Sequence, residues 1–201
     1  HLFWTRVQDP SGTTLMDFEF NQNKCDPGDP AGSTCSANGV TPERLAGDLL
    51  ITYELAQGGT VPNLFYYEWL GAAADGECEA SNKYPCWGSK TPLNEAGGAN
   101  GSINSSLIPA EESGGLGALD PRTFGEASID LNFIFDPNQC TSFGSAYLKS
   151  RSSDSFTAAL KDFIAPVPVN LSNCGTVIIH KETDPDGAVG TFGFSTNVVT
   201  D

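Results

Sequence analysis

The chain reads as an all-β protein: a jelly-roll-type β-sandwich with long disulfide-stapled loops and at most one short helix. Three observations predict this. Stretches such as Leu15-Met16-Asp17-Phe18-Glu19-Phe20-Asn21 alternate apolar and polar residues with a period of two, the mark of a half-buried strand. Glycine (22) and proline (13) are frequent among many Ser, Thr and Asn residues, a composition suited to sheets joined by turns. Six cysteines, at positions 25, 35, 78, 86, 140 and 174, form no C-x-x-C pair, and the chain has only two His, so they point to disulfides rather than zinc.

Leu2–Val7 is apolar and aromatic and predicts a first strand, with a turn over 8–12. The strand at Thr13–Asn21 follows, so the two are expected to form a hairpin. A polar loop over 23–38 is bracketed by Cys25 and Cys35. Gly47–Leu55 alternates again, with Leu49, Ile51, Tyr53 and Leu55 on one face and Asp48, Thr52 and Glu54 on the other. Val61–Leu70 is aromatic and pairs with it as a second hairpin. Over 72–117 small and polar residues dominate. The Cys78 and Cys86 loop lies there beside Trp87, and Ile103, Leu107 and Ile108 anchor one short strand.

Phe124–Phe135 alternates as another central strand, and Ser142–Ser152 as a further one with Tyr147, Lys149 and Arg151 on one face. Phe156, Leu160, Phe163 and Ile164 recur at helical spacing, with Asp154 or Ser155 as cap and Pro166 as stop, although the segment also fits a bent strand. Pro166–Val169 is an extended exit. Strands are expected at Thr176–Lys181 and Thr191–Ser195 around an Asp184–Gly187 turn. A boundary near 170–175 divides a domain over 1–170 from a short unit over 171–201 that is too small for its own core. The chain opens at His1 inside a strand pattern, so upstream residues are expected to have been removed or left out.

Spacing favours the local disulfides Cys25–Cys35 and Cys78–Cys86, with Cys140–Cys174 tying the last part of the domain to its exit. Such bridges place the protein in an oxidising, extracellular or cell-surface compartment. No apolar run is long enough to span a membrane. The chain carries 25 Asp and Glu against 10 Lys and Arg, a net charge of −15, which argues against nucleic acid as a partner. The acidity permits Ca²⁺, or simply keeps an exposed protein soluble.

At the C-terminal end, Cys174–Lys181 (CGTVIIHK), then Thr183–Gly187 (TDPDG) and Thr191–Phe194 (TFGF), resembles the opening of a prealbumin-like module of the SpaA or collagen-adhesin B type. Such modules occur in secreted and wall-attached proteins of Gram-positive bacteria. Met16–Gln22, Gly47–Tyr53 and Ser145–Ser152 resemble the region that often precedes them. The resemblance implies an extracellular, lectin-like β-sandwich in an adhesive or structural surface protein, and it supplies no ligand. It also implies a role for Lys181, which sits where such modules place a lysine that bonds covalently to an asparagine. The chain ends before a matching Asn, and the alternative is a solvent-facing lysine at a strand end.

Three uses are open to the polar groups. Asp17 and Glu19, about 7 Å apart along one strand, invite comparison with glycosidases that carry Glu-x-Asp-x-Glu, but the nucleophile position here is Leu15. No catalytic residue is assigned, and the protein is expected not to be an enzyme. Ca²⁺ would take Asp17, Glu19, Asn21, Asp130 and Asn132 if their two strands are neighbours, with Asp26–Asp29 as a further source of oxygen. The alternative is a solvated outer sheet face. Trp4, Tyr66, Tyr67, Trp69 and Trp87 are candidates for sugar stacking, and only Trp87 is expected to be exposed. The expected partners are therefore a surface glycan, a host or neighbouring protein, or further copies of the chain joined by strand addition into a fibre.

Overall fold

The computed structural model describes residues 1–193 except 10, 11, 30, 56–58, 82, 95, 96, 137, 157, 176, 177, 179, 185, 188, 189 and 192. The strands are β1 (Leu2–Thr5), β2 (Thr14–Asn21), β3 (Leu49–Leu55), β4 (Asn63–Leu70), β5 (Cys86–Trp87), β6 (Thr91–Pro92), β7 (Ala99–Ile103), β8 (Phe124–Ile129), β9 (Ser142–Arg151) and β10 (Leu160–Ser172). They form two sheets. A large antiparallel sheet runs β10-β9-β2-β3-β4-β5, with β6 on β4, and a small sheet runs β1-β8-β7. The all-β sandwich that the alternation predicts is thus present. The strand order alone does not extend the match to a jelly roll.

The core lies where the alternating apolar faces meet. Met16 and Phe18 of β2, Leu49, Ile51, Tyr53 and Leu55 of β3, and Leu64 of β4 pack against Trp4, Ile103 and Ala127 of the small sheet. Tyr53 ties the layers together. Its phenol donates to the Ser102 carbonyl at 2.6 Å, with the Glu126 carbonyl at 3.2 Å, and its ring meets Trp4 edge to face at 5.6 Å. Burial, and then the Glu126 carboxylate, raise the Tyr53 phenol well above its ordinary value, so it remains a donor.

Several local expectations change. β1 does not form a hairpin with β2. It pairs with β8, Phe3 opposite Glu126 and Trp4 opposite Gly125, because Trp4 belongs in the core between the sheets. The expected strand Phe124–Phe135 stops at Ile129. Asp130 accepts from the Asn132 amide and caps a short 3₁₀ turn, Leu131–Phe133, and Phe135 then packs on Phe143 at 5.6 Å.

The helix predicted over 156–164 does not form; β10 takes up the chain at Leu160 and runs through Pro166 and Pro168 to Ser172. The open edge of β9 supplies partners for eight residues of β10, which outweighs a four-residue apolar spacing that also fits a bent strand. As an edge strand β10 tolerates prolines, and its register shifts around them. Beyond Ser172 no described residue is in a strand. Of the strands expected at Thr176–Lys181 and Thr191–Ser195, the described residues 178, 180, 181, 191 and 193 lie in no strand, and the others lie outside the described residues. Of the expected turn, Asp184, Asp186 and Gly187 are described and do turn, with Gly187 at a φ of 77°.

All three disulfides form with the pairing read from spacing: Cys25–Cys35, Cys78–Cys86 and Cys140–Cys174. With the absence of any long apolar helix among the described residues, they are compatible with an oxidising, extracellular setting.

Candidate functional site: the charged outer face of the large sheet

The polar face of β2 is buried. Asp17, Glu19 and Asn21 have no solvent exposure, so the expectation of a solvated outer face is overturned. The cover comes from two places. β9 lies beside β2 with Lys149 opposite Asp17, Tyr147 opposite Glu19 and Arg151 opposite Leu15. Because alternation puts residues 147, 149 and 151 on one face, all three lean over the β2 carboxylates. The loop between β2 and β3 adds Arg44 from the other side. That loop is held by Cys25–Cys35, by the Thr34 amide on the Lys24 carbonyl (2.6 Å), and by Asn23 on the Glu43 carbonyl (2.7 Å).

Charges inside this face are matched. Arg151 grips Asp17 with two bonds, at 2.6 and 3.1 Å, and its remaining nitrogen donates to the Ser155 carbonyl at 2.7 Å, which pins the turn after β9. Glu19 accepts from Arg44 at 2.5 and 3.0 Å, from Lys149 at 2.5 Å and from Asn21 at 3.0 Å. Asn21 also donates to Asp48 at 2.9 Å, and Asp48 takes the amides of Leu45 and Gln22. Two carboxylates, Asp17 and Glu19, thus meet three cations, drawn from a chain with only 10 Lys and Arg, while the third, Asp48, is held by amides. Burial would raise the Glu19 carboxyl, but Lys149 and Arg44 overcome it and hold the group down at about 2.

Aromatic rings frame the network. The Arg44 guanidinium lies over Trp69 at 5.0 Å and over Trp87 at 5.5 Å, and the two indoles meet edge to face at 5.0 Å. Phe156 sits on Arg151 at 4.8 Å and on Tyr67 at 5.0 Å.

The structure sorts the predicted site residues as follows. Asp17, Glu19 and Asn21 lie together, but Asp130 and Asn132 are not with them: β2 belongs to the large sheet, and Asp130 follows the last strand residue of β8 in the small one. The condition for a shared Ca²⁺ site is not met. Asp130 is engaged as a cap, Asp26 accepts from the Gly28 amide (3.0 Å), and among the described residues no group of three or more His, Cys, Asp or Glu is arranged to hold a metal. Trp87 is half-buried rather than free, with Arg44 over it. Trp4 and Tyr67 are core residues. Lys181 is exposed and donates to the Glu182 carbonyl.

Arg44 and Asp48 were not legible as site residues. Arg44 sits in a patternless loop, and only folding brings it to Glu19. Lys149 and Arg151 did carry a signal: cations alternating on one strand, in a strongly acidic chain whose other alternating strand carries carboxylates.

No protein-family model, curated protein or solved structure matches the chain. What the fold and site define is a class, a disulfide-stapled β-sandwich domain with a charge-balanced outer face.

Because cations already occupy the carboxylates, a chelator is expected to leave the melting temperature unchanged. A drop on chelation, restored by added Ca²⁺, would overturn the assignment of these oxygens to Arg and Lys.

Proposed function

We propose that this domain is an extracellular, non-enzymatic module with an adhesive or structural role. One observation carries the reading. At the only place in the described residues where buried carboxylates gather, every one is consumed by cations or amides, so none is free to act as acid, base or nucleophile. Three disulfides stapling the loops suit a domain that must keep its shape outside the cell. Incubation with glucan, xylan, mannan and chitin should release no reducing ends, while the oxidised domain should be retained on at least one glycan or protein surface. Release of reducing ends by the purified domain overturns the non-enzymatic reading. No retention on any surface removes adhesion and leaves the structural role.

Carbohydrate binding is the second reading, and the half-buried Trp69 and Trp87 pair at the sheet margin favours it. Strand addition into a fibre has less support, because Pro166 and Pro168 interrupt the donors of the β10 edge.

A further inference from the structure

The outer face of the small sheet carries a groove of about 420 Å³ that the charged network does not reach. Register places its groups. Phe3 of β1 lies opposite Glu126 of β8, and Glu126 opposite Ser102 of β7, so ring, carboxylate and hydroxyl form one row. Ser128 and Asn100 form the next row. Gly101, between Asn100 and Ser102, turns its bare side inward. A Cβ there would meet Pro62 at 3.0 Å and Leu64 at 3.3 Å, so Asn100 and Ser102 point outward.

Phe3 is 65% exposed, the aromatic side chain most out of place among the described residues. No hydrogen bond or ion pair among them engages the side chains of Asn100, Ser102, Glu126 or Ser128. The floor is stiff. Tyr53 holds the Ser102 and Glu126 carbonyls from beneath, inside the core.

We infer that this groove binds a short, uncharged oligosaccharide. The Phe3 ring would stack on the apolar face of a pyranose. Asn100, Glu126 and the two serines supply the acceptors and donors that hydroxyl groups need, and their positions on paired strands hold them in place. The size is that of a small ligand rather than a protein partner. An anionic glycan is disfavoured by the unpaired Glu126 carboxylate and by the net charge of −15. The inference rests on the adhesive reading and names the face and ligand class through which adhesion would work.

The test is an amide chemical-shift titration of the oxidised domain with cellotriose, laminaritriose, mannotriose and triacetylchitotriose, with a sulfated disaccharide as the anionic comparison. At least one neutral sugar should shift the amides of residues 100–102 and 126–128, and the sulfated one should not. Phe3→Ala should weaken that binding about tenfold or more, and Glu126→Gln several-fold, while both variants melt like the parent because both side chains are exposed. Three results overturn the inference: no shift with any sugar at millimolar concentration, shifts unchanged in Phe3→Ala, or shifts centred on Trp69 and Trp87. The last leaves carbohydrate binding standing at another face. Retention on a protein surface without sugar shifts leaves adhesion standing and removes the groove.

Discussion

Glu19→Gln is expected to cost about 3–5 kcal/mol of folding stability. The amide keeps the shape of the side chain but removes the charge shared by Arg44 and Lys149, leaving two cations over a buried face. Their side chains are 26% and 13% exposed, so water screens part of the loss and the value should fall toward the lower end. The same substitution should change the acid limb. In the folded protein the Glu19 carboxyl sits at about 2 against an ordinary 4.5. A depressed folded value contributes stability that is fully present above about pH 4.5 and is lost as pH falls toward about 2; the difference is worth roughly 3 kcal/mol. Urea unfolding at neutral pH and near pH 3 measures both effects. The parent should lose stability over that window and Glu19→Gln should lose much less. If the two acid limbs run parallel, Glu19 is not held by Arg44 and Lys149 as described.

The paired change Cys140→Ser and Cys174→Ser is expected to cost roughly 4 kcal/mol, because this bridge closes the longest loop, 34 residues that include β9 and β10. Removing Cys78–Cys86, which closes only 8 residues, should cost roughly 2.5 kcal/mol by the same chain-entropy reasoning. The consequence reaches the charged face. β9 carries Lys149 and Arg151, so a domain without the long bridge should become more sensitive to salt as β9 loosens and its ion pairs meet water. Denaturant midpoints of both double variants, at low and high salt, decide the matter. If losing the short bridge proves costlier, the long one does not anchor β9 and β10.

The central strands were legible because they obey one rule with nothing competing. Residues 15–21, 49–55 and 142–151 alternate, and each became a strand in the same sheet. Cys25–Cys35 and Cys78–Cys86 followed from spacing because short loops bring their ends together in almost any fold, and Cys140–Cys174 was the pair that remained. Where two local rules gave different answers, neighbours chose. The apolar spacing at 156–164 suits a helix taken alone, yet the bare edge of β9 offered a ladder. Phe124–Phe135 alternates throughout, yet Asp130 had a capping site to fill and Phe135 a ring to pack against.

The site shows the same division. That Asp17, Glu19 and Asn21 share a face is a property of the pleat, readable from their spacing alone, as is the shared face of Tyr147, Lys149 and Arg151. That these two faces are one face, and that it is covered, depends on β2 and β9 being neighbours across more than a hundred intervening residues, and on a disulfide-held loop setting Arg44 over Glu19. Alternation determines which way a side chain points; only tertiary pairing determines what it meets there. For carboxylates that is the difference between water, Ca²⁺ and arginine, because a buried charge takes the electrostatic partner the fold brings within reach.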